Sequence, residues 1–233
     1  MFDFAAGEIL LFDKPYTWTS FDVVNLIKNC LKKSLPEPVK VGHAGTLDPL
    51  ATGMLVVLTG KKTREMEIIQ AQEKEYTGTF TIGATTPSYD REKEVDKTFS
   101  TDHISDEMIY EAAKTFVGEI MQLPPEHSAV KVDGKRAYEY ARKGKSVEIN
   151  PRPITISEFE ITRIALPEVD FRVVCSKGTY IRSLARDFGE ALNSGAYLSS
   201  LCRTRIGEYR IEDAMHPKEF TALIEKMKQD GML

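Results

Sequence analysis

Cysteine and tryptophan are scarce in this chain, and it has no long hydrophobic run. Its 233 residues include one tryptophan and three cysteines. Cys30, Cys175 and Cys202 are far apart and form no C-x-x-C pair, so we interpret them as reduced thiols. The longest apolar run, Met54–Leu58, is too short to span a membrane. These absences argue against a disulfide-rich secreted domain, a cysteine zinc site and a helical membrane protein.

A secretory signal is also lacking, because the N-terminus MFDFAAGEIL has no basic start. Together with the reduced thiols, this predicts a cytoplasmic protein. The four histidines, His43, His103, His127 and His216, show no metal-ligand spacing, so the sequence predicts no metal site. At this length we expect one large domain, or one domain with a short appendage.

Positive charge is not in excess, since the net charge is −4, which argues weakly against nucleic acid as a partner. The charges are unevenly distributed, however. Residues 90–119 carry nine acidic and four basic side chains, whereas residues 131–152 and residues 172–210 each carry seven basic and three acidic ones. Two basic segments can form one face that binds phosphates. A solvated surface accounts for such windows equally well, and charge alone leaves both interpretations open.

Hydrophobic periodicity predicts a mixture of helices and strands along the chain. The first predicted helix is capped by Thr19 or Ser20 and runs to about Lys33, and the second is Lys62–Ala71. The third is capped by Ser105, and its apolar stripe consists of Ile109, Ala112, Ala113, Phe116 and Val117. A short helix with Tyr138, Tyr140 and Arg142, one that starts near Tyr180, and Pro217–Lys228 follow. The predicted strands are Gly7–Phe12, Gly53–Leu58, Lys74–Gly83, Thr155–Ile164, Val169–Cys175 and Tyr197–Tyr209, with a hairpin over Ala129–Arg136. Asp13, Lys14 and Pro15 are predicted to form a turn, and residues 85–101 a polar loop.

The stretch from Lys40 to Thr59, KVGHAGTLDPLATGMLVVLT, holds one carboxylate, Asp48, just before the apolar strand. Gly42 and Gly45 permit unusual backbone angles and close approach, and Pro49 keeps Asp48 out of helical conformation. A side chain on a loop anchored by a rigid strand is a common site design, so Asp48 is a candidate catalytic residue. An aspartate before proline is also a common turn former, and spacing alone leaves that alternative open.

Three stretches of the chain resemble the TruB-type tRNA pseudouridine synthases. GHAGTLDPLATGML, from Gly42 to Leu55, is similar to the family's signature loop. The block from Gln122 to Arg142 resembles its pattern Q-x-P-P, S-A-x-K, G and Y-x-x-A-R, and Cys175–Leu184 resembles C-S-x-G-T-Y-I-R-S-L. The resemblance extends from Gly7 to about Ala214.

This resemblance implies an α+β pseudouridine-synthase fold, with a mixed, mostly antiparallel central sheet flanked by helices. Residues 1–214 would form the catalytic domain and residues 215–233 a short helical tail. Many bacterial relatives continue into a PUA-type RNA-binding domain, but only 23 residues follow Arg210 here. The guide-RNA-dependent dyskerin relatives normally carry that domain as well, so the resemblance favours a stand-alone enzyme.

The implied activity is isomerisation of uridine to pseudouridine at position 55, in the T-loop of tRNA. By resemblance, Asp48 is the nucleophile, Arg182 is its cationic partner, and Tyr76 stacks on the target base and serves in the final deprotonation. The product is an isomer of the substrate, so no cofactor and no metal is expected. tRNA is the expected partner, with no protein partner and no membrane, and we expect a monomer.

Further substrate contacts are implied by the same resemblance. His43 would fill the space that the extruded base leaves, Tyr180 would line the base pocket, and Leu201 would pack near the base. Lys14 would lie beside the active-site loop. Arg203 and Arg205 would lie near Leu201, and the resemblance assigns them no role.

The residues by themselves leave other interpretations open. Tyr76 could be a core aromatic, Arg182 a surface arginine and Lys14 a simple turn residue, and a lone histidine such as His43 is more often structural. A glycoside hydrolase would need a second carboxylate, and the loop offers only Asp48. An RNA-binding module would not need that aspartate, and a metal-dependent hydrolase lacks ligands. The sequence does not determine whether the carboxylate attacks the sugar or the base.

Overall fold

A computed structural model of the chain describes residues 2–126, 128, 131–132, 135–136, 140 and 148–233. The chain divides into two units. The first unit comprises Met1–Tyr76 and Cys202–Leu233, and the second comprises Thr77–Leu201. The predicted division into a catalytic domain of residues 1–214 and a tail of residues 215–233 stays a prediction.

The strands of the described residues are numbered here in chain order. They are β1 Ile9–Lys14, β2 Val41–His43, β3 Thr52–Thr59, β4 Lys74–Ile82, β5 Ala84–Thr85, β6 Lys97–Thr98, β7 Gly118–Gln122, β8 Lys131–Val132, β9 Lys135–Arg136, β10 Arg152–Ala165, β11 Glu168–Cys175, β12 Ala196–Ile206 and β13 Tyr209–Arg210. The α-helices are Ser20–Ser34, Met66–Ala71, Asp106–Thr115, Ile181–Ala191 and Pro217–Gln229, and Gly60–Glu65 and Ile211–Asp213 are 3₁₀ turns.

The central sheet has the strand order β1-β3-β12-β4-β11-β10-β7, with β2 added beside β3 and β13 beside β12. The pairs β1–β3, β2–β3, β10–β11, β7–β10 and β12–β13 are antiparallel, whereas β3 and β12 run parallel. This confirms the expected α+β class with a mixed, mostly antiparallel sheet. Small separate hairpins are formed by β5 with β6 and by β8 with β9.

The core of the first unit lies around β3. Helices Ser20–Ser34 and Pro217–Gln229 pack on one face of this strand, in a cluster of Leu10, Phe12, Val23, Ile27, Leu31, Leu55, Val57, Phe220 and Ile224. The opposite face belongs to a second cluster, made by Ala44, Met54, Val56, Leu58, Ile69 and Ile206. Because both faces are buried, β3 is a continuous apolar run without polar alternation.

The core of the second unit is aromatic. Phe80 stacks on Phe171 with ring centroids 4.1 Å apart, and Phe159 and Phe188 pack around this pair at 5.4–6.3 Å. Phe116, just beyond its helix, contacts both Phe159 and Phe188. Such rings bury large apolar areas in tilted or edge-to-face arrangements, so they join β4, β10 and β11 to the helix Ile181–Ala191.

Most of the predicted elements are confirmed within one to three residues at their ends. Thr19 caps the first helix in a reciprocal capping box with Asp22, and Ser105 caps the third. The backbone of β8 and β9 forms the predicted hairpin, with Lys131 opposite Arg136. Of the predicted helix at 138–142, only residue 140 lies among the described residues, where it is helical.

The predicted polar loop of residues 85–101 contains part of a small hairpin, since Thr85 of β5 pairs with Lys97 of β6. Three further details of the prediction are wrong. The first strand ends at Lys14, which is paired with Gly53, so Lys14 is a strand residue and not part of a turn. The helix predicted from Lys62 begins instead as a 3₁₀ turn and becomes α-helical only at Met66. Val117 lies two residues beyond the last helical residue, Thr115, and is 47% exposed, so it is not part of the buried stripe of this helix.

Candidate active site

Asp48 lies on an irregular segment between β2 and β3, which we call the Asp48 loop (residues 44–51). Its side chain is half-buried, and its carbonyl accepts a hydrogen bond of 3.1 Å from the Ala51 N–H. Gly45 has a φ of 97°, a conformation that other residues rarely adopt, as its place in the sequence predicted. The loop is therefore a shaped turn that presents a carboxylate at the start of a buried strand.

The residues on either side of Asp48 are held by the start of the first helix and by the turn that precedes it. The Ser20 hydroxyl accepts a hydrogen bond of 2.8 Å from the Leu47 N–H and donates one of 3.2 Å to the Leu47 carbonyl. The Thr17 N–H donates to the Pro49 carbonyl at 2.9 Å. Both neighbours of Asp48 are thus tied by hydrogen bonds, Leu47 to the first helix and Pro49 to the turn before it, which restricts where the carboxylate can move.

Lys14 supports the same loop from inside the protein. Its side chain is fully buried, and its ammonium group donates to the carbonyls of Pro15 at 3.0 Å, Trp18 at 2.5 Å and Pro49 at 3.4 Å. Burial lowers the pKa of Lys14 to about 8, although the nearby charge of Asp48 raises it. These contacts make Lys14 a positioning residue for the loop, and its predicted contact with substrate stays a prediction.

We expect the turnover rate to fall as the pH rises through about 8, where the pKa of Lys14 lies. The neutral amine has fewer N–H donors for its three carbonyls, so the anchor on Pro49 weakens. The free energy of unfolding should instead increase with pH. The unfolded state, with the ordinary pKa of 10.5, keeps the proton between pH 8 and 10.5, so this group adds stability as the pH rises through that window. The gain is at most about 3 kcal/mol.

The check is a pair of pH profiles, one of the single-turnover rate and one of the free energy of unfolding. Lys14→Met should remove both trends, whereas Lys28→Met, which changes an exposed lysine of the same unit, should remove neither. A wild-type rate that stays flat to pH 9 would contradict the role given to Lys14.

Thr17 adopts a φ of 70°, which is unfavourable for a β-branched residue. We expect Thr17→Gly to raise the free energy of unfolding by up to about 1 kcal/mol, because relief of the strain outweighs the entropy that glycine gains in the unfolded chain. Denaturant titration measures this change. Thr17→Val keeps the β-branch and should be nearly neutral, and a less stable Thr17→Gly protein would refute the expectation.

His43 and Tyr76 are the remaining predicted site residues of the first unit. His43 ends β2, and its Nδ1 is buried with no hydrogen-bond partner among the described residues. Burial lowers the pKa of His43, and the charge of Arg203 lowers it further, so the imidazole is neutral at pH 7. Tyr76 lies in β4 and is only 8% exposed. The neutral imidazole of His43 is better suited to filling space than to proton transfer, and the buried ring of Tyr76 is suited to stacking.

Arg182 belongs to the second unit, where it is the second residue of the helix Ile181–Ala191. Its side chain is buried, with Nε 3.7 Å from an oxygen of Asp90 and Nη1 donating to the Ser88 carbonyl at 3.4 Å. The alternative of a surface arginine is therefore wrong. Asp90 is equally buried and was missed, since it lies in a stretch that the sequence analysis treated as a polar loop.

Tyr180 and Leu201 are half-buried residues of the second unit. The side-chain amide of Gln122 holds the backbone of Tyr180 through two hydrogen bonds, accepting from its N–H at 2.8 Å and donating to its carbonyl at 3.1 Å. The Tyr180 N–H is thus already bound to an acceptor within the protein. Gln122 stands in the Q-x-P-P pattern, which was the available signal, yet the sequence assigned it no role.

Most cations of the basic segment 172–210 have partners within the protein. Arg172 pairs with Glu158 and Arg205 with Glu73 near the surface. Arg182 with Asp90, Arg186 with Asp187, and Arg203 with backbone carbonyls are largely buried. Lys177 and Arg210 remain exposed. The other basic segment, 131–152, lies largely outside the described residues, and its contribution stays a prediction.

Within the described part of the chain, no group of three or more histidine, cysteine, aspartate or glutamate side chains is arranged to hold a metal ion. None of the described helices is both long and apolar enough to cross a membrane.

Three kinds of known protein data resemble this chain: a family model, named relatives and a solved structure. Residues 31–181 match the model of the TruB family pseudouridylate synthase N-terminal domain. The chain is 60% identical over 215 residues to a protein of Flavobacterium johnsoniae named tRNA pseudouridine synthase B, covering 91% of this chain and 94% of that protein. It is 53% identical to the protein of that name from Phocaeicola vulgatus, covering 99% of both chains.

Among solved structures, a chain in the crystal structure of a Cbf5-Nop10-Gar1 complex is similar, with a TM-score of 0.76 and 31% sequence identity. The match covers 99% of this chain and 58% of that one, so this chain spans little more than half of that structure's length. The shared fold and the high sequence identity over nearly the whole chain lead to one conclusion: the chain belongs to the TruB family of pseudouridylate synthases.

Proposed function

We propose that this protein isomerises one uridine of tRNA to pseudouridine, at position 55 of the T-loop. The observation that carries the proposal is the anchored Asp48 loop, in a chain that is 53–60% identical to proteins named tRNA pseudouridine synthase B over nearly their full length. Conversion of uridine to pseudouridine in tRNA is the activity of this family, and the T-loop position is the finer part of the proposal.

The reaction exchanges one bond for another at the same sugar carbon. The bond from C1′ to N1 of uracil breaks, the base rotates, and C1′ bonds to C5. The proton on C5 is lost and N1 gains one, so atoms and electrons balance without an oxidant or a cofactor. A carboxylate is suited to act as the nucleophile in such a step, and we assign that role to Asp48.

Arg182 and Tyr76 are proposed to complete the chemistry. Arg182 is the positive partner of the nucleophile, a role for which its permanent charge is suited. Tyr76 stacks on the target base and takes part in the final deprotonation. Extrusion of a loop base costs a few kcal/mol, and stacking on an aromatic side chain returns about 1–3 kcal/mol.

The other predicted contacts belong to substrate binding. His43 fills the space that the extruded base leaves, for which its uncharged imidazole is suited. Tyr180 lines the base pocket and Leu201 packs near the base. Lys14 acts through its hydrogen bond to the Pro49 carbonyl of the Asp48 loop.

We further propose that the protein acts as a monomer on tRNA, in the cytoplasm and without a protein partner. The similar solved chain was crystallised as a complex with Nop10 and Gar1, so this part of the proposal is open to direct test. Purified chain alone, with a tRNA transcript as its only macromolecular partner, should be fully active.

The test is to map the product on an unmodified tRNA transcript by carbodiimide treatment and primer extension. The proposal predicts one new pseudouridine, at position 55, and none in a matched transcript with cytidine there. Pseudouridine at another position would refute the T-loop assignment. No pseudouridine at all, with tRNA bound, would refute the activity of the isolated chain.

A further inference from the structure

Arg203 is a charged side chain that is almost completely buried, at 1% exposed. It lies in β12, opposite Gly53 of β3. Its guanidinium donates to three backbone carbonyls: Nε to Met54 at 2.8 Å, Nη2 to Gly45 at 3.0 Å and Nη1 to Thr46 at 3.5 Å. Gly45 and Thr46 precede Asp48 in its loop, and Met54 lies in the strand that follows.

Burial of a guanidinium costs several kcal/mol unless hydrogen bonds replace its water. The three carbonyls supply that replacement from two separate segments. The close approach depends on Gly53, which has a φ of 100° and at which a Cβ would lie only 2.3 Å from the Arg203 carbonyl oxygen. The fold thus brings the backbone of β12 against β3 and places the Arg203 guanidinium within hydrogen-bond distance of Gly45 and Thr46 in the Asp48 loop.

We propose that Arg203 is a positioning residue for the Asp48 carboxylate, an inference that rests on the proposed function and deepens it. Its guanidinium holds the backbone on the N-terminal side of Asp48, at Gly45 and Thr46. Lys14 and Thr17 hold the C-terminal side, at Pro49. Asp48 is thereby fixed between the carbonyls of Gly45 and Thr46 on one side and that of Pro49 on the other, with a buried cation bound on each side.

Arginine suits this position because its planar group carries five N–H donors in a fixed geometry. A lysine would keep the charge but would place all its donors on one nitrogen, whereas Arg203 reaches Met54, Gly45 and Thr46 from three separate nitrogens. Misplacement of a reacting group by about 1 Å can lower a rate by about 10²-fold. The charge of Arg203 also lowers the pKa of both His43 and Lys14, as expected for a cation close to both.

The first test compares Arg203→Lys with Arg205→Lys in single-turnover assays and tRNA binding. Arg205 lies two residues further in the same strand and is partly exposed, with bonds to Glu73 and to the Gly207 carbonyl, so it is a matched control. Arg203→Lys should lower the single-turnover rate by about 10–100-fold, with the Kd for tRNA changed by less than about threefold. Arg205→Lys should leave that rate unchanged. A single-turnover rate within about twofold of wild type for Arg203→Lys would overturn the proposal.

The second test needs no activity, so it separates this proposal from the proposed function. Amide hydrogen exchange of the free protein should become faster in residues 44–54 of Arg203→Lys and Arg203→Met, and stay unchanged in the helix Ser20–Ser34. Unchanged exchange in residues 44–54 would overturn the proposal. So would an equal rise in both segments, because that would show only a general loss of stability.

Discussion

Replacement of Asp48 by asparagine should lower the single-turnover rate by roughly 10⁴-fold or more, the scale seen when a catalytic nucleophile is removed. Asparagine has nearly the same shape but lacks the negative charge that the proposed nucleophile needs. The anchors on Leu47 and Pro49 bind the backbone of the neighbours, so the loop should keep its place. Affinity for tRNA should therefore change by less than about threefold.

Rapid quenching with nucleoside chromatography measures the rate, and filter binding measures the affinity. Asp213→Asn is the matched control, since it removes the same charge from an exposed position in the same unit and should change neither quantity. A rate for Asp48→Asn within tenfold of wild type would exclude Asp48 as the nucleophile. A variant that had lost tRNA binding would instead place this carboxylate in the RNA contact.

Stability and activity should respond differently when one or both residues of the buried pair Arg182 and Asp90 are replaced. Arg182→Met should lower the free energy of unfolding by about 3–5 kcal/mol, because it leaves the buried Asp90 carboxylate without this cation. The double variant Arg182→Met/Asp90→Leu should recover most of that loss, since an apolar pair of similar volume can replace a buried ion pair at little cost. It should nevertheless stay at least about 10²-fold less active than wild type.

Denaturant titration and single-turnover rates of the two variants test this separation. Arg163→Met, which breaks an exposed pair with Asp170 in the same unit, should cost only about 0–1 kcal/mol and leave the rate unchanged. A double variant that regained full activity would show that Arg182 has a structural role alone. A single variant as stable as wild type would show that the pair contributes nothing to the fold.

The sequence predicted the elements whose pattern is local. β3 was recognisable from its unbroken apolar run, β4 from its alternation, and the first helix from its capping residue. The Asp48 loop was recognisable because its glycines and proline act on the backbone of their own neighbours. These features depend on residues close together in the chain, and the structure confirms them.

What the sequence could not predict depends on packing between distant residues. Asp90 and Arg182 meet across 92 positions of the chain, and Arg203 bonds Gly45 across 158. Arg203 was expected near the site without any role, and Lys14 was expected in a turn. A buried cation bound to carbonyls has no local signal, because backbone acceptors are the same at every position. The sum of charges over residues 172–210 was uninformative for the same reason, since it does not show which cations are paired internally.

Uridine isomerisation with Asp48 as the nucleophile is tested most directly by tritium release. The substrate is a tRNA transcript labelled at C5 of uridine, and the purified chain is the only protein. The loss of the C5 proton is a required step of the proposed isomerisation. The wild-type protein should release one equivalent of tritium per tRNA, and Asp48→Asn should release none above background. Equal release by both proteins, or none by a wild-type protein that binds the tRNA, would contradict this mechanism.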